Sequence, residues 1–229
     1  MIVYGKQICH QLMARHPEMI ERFILAKELD RKEFAKVRQI GKPIERVDAK
    51  KAQALARGGN HQGWLCDIRP YRYADFSALK EGDFIVVLAG LTDVGNIGAI
   101  IRTAYALGAD GVVVSGVRQL ASEAVVRASA GAMFDLPIAI VPNILDVLNE
   151  LKQNGFTLYG AAMEGESLKD VEVSARRALV LGSEGSGIPK RALDKMDHIV
   201  TIEMARPFDS LNVSAAAAIL IDKMAKTKG

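Results

Sequence analysis

The sequence has only two cysteines, Cys9 and Cys66, far apart in a chain of 229 residues. That is too few for a disulfide framework and the wrong spacing for a zinc site. No apolar run reaches the ~18 residues that a membrane-spanning helix needs. The opening MIVYGKQICH lacks the long apolar segment of a secretory signal. These absences lead to the expectation of a cytoplasmic protein with no membrane partner and no metal. Nucleotide fingerprints are missing too. The segment FIVVLAGLTDVGNIG lacks GxGxxG, which argues against a dinucleotide fold and against the common glycine-rich methyltransferase sheet. Gly182 and Gly187 have P-loop spacing, but Ile188-Pro189 stands where Lys-Ser/Thr is required. There is no GxSxG elbow and no HExxH, and His10 and His16 read as surface or structural histidines. No internal repeat interrupts the chain.

What is present is an apolar fraction of 49% with 25% charged residues, the make-up of a globular protein with a sizeable core. Its length fits one large domain or a medium and a small one. Charge is uneven. The first 75 residues hold fifteen of the thirty Lys and Arg but nine of the twenty-seven Asp and Glu, a net +6 against −3 for the remainder. Such a basic segment either meets a polyanion or is a solvated charged face.

Periodicity predicts a small α/β unit over residues 1–70, then a linker at 71–82. In the unit, helices are expected over KQICHQLMARHP, Arg31 to Gln39 and Ala49 to Arg57. Strands are expected at RFILA, PIERV and GWLCDI, with an exposed loop at Gly58–Gly63. From Asp83 the signal strengthens. FIVVLAG reads as a strand buried on both faces, followed by a helix with Ile97, Ile100, Ile101, Ala104 and Leu107 on one stripe. Next come strand GVVVS, a helix around Glu123–Met133, strand PIAIV, a helix around Leu145–Asn154 and strand FTLYGAA. Strand ALVLG, a short helix near Pro189, strand HIVTIEM and a helix from Asn212 complete the pattern. Alternation of this kind specifies a mostly parallel sheet with helices on both faces.

Three segments sit where a strand ends. In Asn96-Ile97-Gly98-Ala99-Ile100-Ile101-Arg102, the arginine lies about 140° around the helix from Ile97. An amide and a guanidinium beside a crevice is one reading; a cap and a surface arginine is the other. In Leu181 to Pro189, three glycines surround Glu184, the loop's one charge. Either a ligand approaches that backbone closely or the loop is a plain turn. In the third, Ser210-Leu211-Asn212 opens an Ala-rich helix, where Ser210 reads as an N-cap or as part of a site. All three share one topological situation, the carboxyl end of a strand.

In this order and at these spacings the segments resemble motifs 1, 2 and 3 of the SpoU (TrmH-like) branch of the SPOUT RNA methyltransferases. Arg127-Ala128-Ser129-Ala130-Gly131-Ala132 is similar to a further family segment. The likeness runs from Asp83 to about Lys226. Residues 1–70 resemble the small ribosomal-protein-like substrate-binding domain of the 23S rRNA guanosine ribose methylases. The resemblance implies a SPOUT domain over 83–229 with a deep trefoil knot, a homodimer through the knotted domain, and S-adenosylmethionine as cofactor. It implies methylation of a ribose 2′-hydroxyl, with 23S rRNA the expected partner and rRNA processing the expected role. A tRNA ribose methylase and an inactive RNA-binding relative are the alternatives. Carried over by position, Arg102, Asn96, Glu184, Ser210 and Asn212 are the catalytic residues. Gly182, Ile202, Leu211, Gly185 and Met204 contact the cofactor. Ala205-Arg206-Pro207-Phe208 departs from the family pattern, where a glycine often follows the methionine.

Overall fold

A computed structural model describes residues 1–167, 170–206 and 210–225. The N-terminal part contains β1 (Ile2–Tyr4), α1 (Lys6–Arg15), a 3-10 turn (Pro17–Met19), β2 (Ile20–Leu25), α2 (Arg31–Gln39), β3 (Ile44–Arg46), α3 (Ala49–Leu55) and β4 (Trp64–Ile68). Its sheet runs β1-β4-β2-β3, with β2 and β3 parallel and the other pairs antiparallel. Asp30 and Asp48 cap α2 and α3 by accepting from the backbone N–H groups of Glu33 and Lys51. The expected elements are present. The unread β1 is three residues long, too short to carry a period. In the Gly58–Gly63 loop, Gly58, Asn60 and Gln62 are exposed as expected, with Gln62 accepting from the Lys6 N–H, whereas Gly63 is buried against Lys27.

The expected linker holds a helix, α4 (Phe76–Leu79), capped by Asp75. Leu79 is buried and Ala74 donates to Ile138, so this stretch is packed down. Six parallel strands follow: β5 (Phe84–Ala89), β6 (Gly111–Ser115), β7 (Ile138–Val141), β8 (Thr157–Ser167), β9 (Arg177–Gly182) and β10 (His198–Thr201). Their order is β10-β8-β9-β5-β6-β7. Between them lie α5 (Val94–Ala106), α6 (Ser122–Ala128), α7 (Ile144–Gln153) and α8 (Lys190–Leu193), and α9 (Val213–Met224) comes last. The helix expected at 123–133 stops at Ala128, because Ala130 and Gly131 take positive φ; a 3-10 turn, Ala132–Phe134, continues it.

Side-chain alternation along β5 explains both layers. Phe84, Val86 and Leu88 join a core with α5, α6 and α9; Ile85, Val87 and Ala89 join one with α4, α7 and α8. Val3, Ile8 and Leu12 belong to the same buried cluster as Ile97, Val126 and Met133, so apolar packing is continuous between the two sheets' units. Arg177, 3% exposed, donates to the carbonyls of Met224 and Ala175 and stacks on Phe84 at 4.4 Å. A cation at the last carbonyls of α9 suits the negative end of the helix dipole.

Candidate active site

A cavity of about 740 Å³ opens at the carboxyl edge of β8, β9 and β10, beside the start of α9. That is where ligands bind in parallel α/β sheets, and the volume suits a small molecule. Gly182, Gly185, Ile202, Met204 and Leu211 all line it, as do Glu184 and Ser210. One wall was not legible in the sequence. Ile199 pairs with Gly160 but Val200 with Glu166, so residues 161–165 leave the β8–β10 ladder. Ala161, Ala162 and Met163 thereby line the cavity; the Met163 carbonyl accepts from Thr201 Oγ1 at 3.0 Å, and Met163 as a whole is 70% exposed. Only the small residues of GAA hinted at this, and they read equally well as strand interior.

The loop after β9 is a closed turn. Gly187 N–H donates to the Ser183 carbonyl at 2.9 Å, and the Ser183 and Ser186 hydroxyls are 2.7 Å apart. A Cβ on Gly182 would lie 2.1 Å from the Gly187 carbonyl carbon. Glycine is thus required at 182 because the turn folds back on its own root. Gly185, by contrast, has open space around its Cβ position.

Three of the expected polar residues meet. Asn212 Nδ2 donates to Glu184 Oε1 at 2.6 Å and to Asn96 Oδ1 at 3.1 Å. Asn96 Nδ2 donates to the same Glu184 oxygen at 3.2 Å, and the Val213 N–H lies 3.4 Å from it. Asn212 is also the N-cap of α9: its Oδ1 accepts from the N–H and the hydroxyl of Ser214. The cap fixes which end of the amide faces Glu184, since the capping atom must be the oxygen. Ser210 does not cap the helix; it is exposed at the cavity rim. Asn96 is likewise inside α5, whose N-cap is Asp93, accepting from the Asn96 N–H at 2.7 Å. Of the expected α5 stripe, Ile97, Ile100, Ile101 and Ala104 are buried, while Leu107 is the C-cap and half-buried.

Arg102 is not brought into this cluster. It is exposed on α5, six residues beyond Asn96, or about 9 Å along the helix axis. The strand expected to reach Met204 ends at Thr201, so Ile202 and Met204 meet the cavity from irregular backbone. Of the departing segment, Pro207 and Phe208 lie outside the described residues, as do Lys226–Gly229 at the end of the chain.

Residues 83–222 match the SpoU rRNA Methylase family, and residues 2–74 match the family described as RNA 2′-O ribose methyltransferase substrate binding. A Staphylococcus aureus protein named as a TrmH family tRNA/rRNA methyltransferase is 31% identical over 234 residues, covering 96% of this chain and 93% of its own. The AdoMet-bound rRNA methyltransferase of Sinorhizobium meliloti superposes with a TM-score of 0.79 at 25% identity, over 97% of this chain and 85% of its own. The AdoMet complex of the SpoU methyltransferase AviRb from Streptomyces viridochromogenes gives 0.80 at 24% identity, over 98% and 88%. Fold, cleft and matches define an RNA 2′-O-ribose methyltransferase. The chain belongs to the SpoU rRNA methylase family.

Proposed function

We propose that this chain methylates a ribose 2′-hydroxyl of 23S rRNA, most specifically of a guanosine, using S-adenosylmethionine held in the carboxyl-edge cavity. The observation that carries the reading is the cavity's make-up. Apolar Ile202, Leu211 and Val200 and small Ala161, Gly182 and Ala216 leave room for a flat heterocycle, while Glu184 and Ser210 offer polar groups at the rim. That donor set fits the cofactor. Gly182, Gly185, Ile202, Met204 and Leu211 hold it in this proposal, largely through backbone atoms. When bound, S-adenosylmethionine supplies a methyl group on an electrophilic sulfonium.

The residues of the chain then position and polarise the hydroxyl. Glu184 Oε1 already receives Asn96, Asn212 and the Val213 N–H, which leaves Oε2 to accept from the ribose. Asn96 and Asn212 hold that carboxylate in place, and Ser210 orients the hydroxyl. The Arg102 guanidinium stabilises the developing alkoxide or a neighbouring phosphate.

Residues 1–70 serve as the substrate-binding domain, 71–82 as the connection and 83–229 as the knotted catalytic domain. The Sinorhizobium relative, named an rRNA methyltransferase, spans both parts, which favours rRNA over tRNA. The protein acts in this reading as a cytoplasmic homodimer. Ile219, 42% exposed beside the exposed Ala215 on α9, supports a partner surface there. Calorimetry with S-adenosylmethionine tests the cofactor, and mapping 2′-O-methyl sites in cells lacking the protein tests the target. No binding, or an unchanged rRNA methylation map, refutes the corresponding half.

A further inference from the structure

One carboxylate joins the substrate-binding domain to the catalytic domain. Asp135, its side chain 10% exposed, lies just after the 3-10 turn Ala132–Phe134. Gln11 Nε2 donates to its Oδ2 at 2.6 Å, Arg15 Nη1 pairs with the same oxygen at 3.0 Å, and His16 Nε2 lies 2.9 Å from Oδ1. Gln11 also donates to the Gly131 carbonyl at 3.2 Å. All three partners come from α1 or the residue after it, so the whole clasp is one helix end gripping one turn.

That turn leads directly to the catalytic helix. It continues α6, and a Cβ on Gly98 of α5 would lie 2.2 Å from the Cβ of Ala128 on α6. Only glycine at 98 allows the two helices to approach so closely. Gly98 stands two residues after Asn96 and four before Arg102. The path therefore runs α1, turn, α6, α5, with each step in close contact.

Other contacts bridge the domains, but they direct less. Phe134 packs near Tyr71 and His16 at ring distances of 6.2 and 6.0 Å. Arg127 stacks on Tyr4 at 5.0 Å and donates to its hydroxyl, and Arg15 also donates to the Tyr105 hydroxyl of α5, so each of these two hydrogen bonds ties one side chain to one other. Arg57 and Glu123 pair at 3.4 Å on the surface, where such pairs contribute little. Apolar and ring contacts resist separation yet tolerate sliding. A nearly buried carboxylate with three donors, two of them from the partly buried Gln11 and His16, does not, because a slip strips it of partners at high cost.

We propose that Asp135, with Gln11, is a positioning residue: the clasp sets the register between the domain that holds the RNA and the helix that carries Asn96 and Arg102. The proposal rests on the RNA-methylating function above. Neither residue touches the cavity, so the clasp acts on the reaction only through where it places the substrate.

The test uses the full chain with Asp135→Ala, Gln11→Ala and the double variant. Nitroxides at Lys32→Cys and Asn149→Cys, both exposed, report the distance between the domains; Cys9 and Cys66 are buried and escape labelling. Each variant is measured for S-adenosylmethionine affinity and for kcat and KM on 23S rRNA transcript. Both single variants are expected to broaden the distance distribution. Cofactor affinity should stay within about twofold while kcat falls about 10- to 100-fold, as misplacement by an ångström does. The double variant should be no worse than the singles, since one clasp is lost once. Unchanged distances overturn the clasp; broadened distances with normal kcat overturn its positioning role. Should the wild-type chain fail to methylate rRNA, the target reading is refuted, and the distances still decide the clasp. Should Asp135→Ala not fold, Gln11→Ala carries both readouts.

Discussion

Asn212 donates to Glu184 across 2.6 Å, tying the first turn of α9 to the loop after β9 with the same side chain that caps the helix. Capping and site assembly are thus one arrangement, and the two roles can be separated by substitution.

Asn212→Ala removes both and should cost about 1 kcal/mol through the lost cap, lowering Tm by about 2–4 °C in a domain of this size. Asn212→Asp keeps an oxygen for the Ser214 N–H but replaces the donor to Glu184 by a second carboxylate. It should keep most of the stability and lose methyl transfer at least about tenfold. Thermal melts beside single-turnover assays separate the effects; equal activity in Asn212→Asp and wild type contradicts a site role.

Arg102→Ala should abolish methyl transfer while S-adenosylmethionine binding by calorimetry remains. Arg102 lies outside the cavity lining, so no cofactor contact is lost. Near-normal turnover would sink the assignment.

Gly182→Ala should weaken cofactor binding by more than about tenfold, because an atom 2.1 Å from the Gly187 carbonyl carbon must displace the turn. Gly185→Ala meets nothing within 4 Å in the protein. It should therefore leave stability unchanged and reveal, through affinity alone, how closely the ligand approaches.

Acid should loosen the interdomain clasp. Burial pushes the Asp135 carboxyl up, but hydrogen bonds from His16 and Gln11 and the Arg15 charge outweigh it and hold it below the ordinary carboxylate range. With the folded value depressed, its stabilisation is complete above the unfolded value, about 4. It is lost as pH falls through the folded value. The difference in urea midpoint between wild type and Asp135→Asn should be steady at neutral pH and shrink below about pH 4. A difference that persists unchanged at low pH speaks against the clasp as the cause.

RNA affinity should depend on the basic face of the N-terminal domain. Lys50→Gln with Arg57→Gln, both residues exposed, should weaken binding and flatten its salt dependence, by a slope of about 0.7–0.9 for each phosphate contact removed. An unchanged slope assigns RNA binding elsewhere. Substitution is the better test than truncation, because Val3, Ile8 and Leu12 share a core with the catalytic part.

Much of the fold was legible because its signals are local. The unbroken apolar run of β5 and the α5 stripe each follow from periodicity within a few residues. The three strand-end segments pointed to Asn96, Glu184 and Asn212 for the same reason. Position within a helix was harder: the sequence placed Asn96 at a turn and Ser210 at a cap, whereas Asp93 and Asn212 take the capping roles. Any of several adjacent polar residues can cap, and local chemistry does not choose among them.

The sequence by itself determined the alternation of strands and helices, the two-part charge division and the chemical types gathered at the strand ends. Only the tertiary structure decided that Asn96, 88 residues from Glu184, shares a hydrogen bond with it, and that Arg102 does not join them. It also decided that residues 161–165 leave the β8–β10 ladder so that Ala161, Ala162 and Met163 wall the cavity, and that Asp135 answers to α1 across 124 residues. These contacts depend on strand order and on the register of long-range pairs, which are settled by packing summed over the whole core rather than by any short stretch of chain.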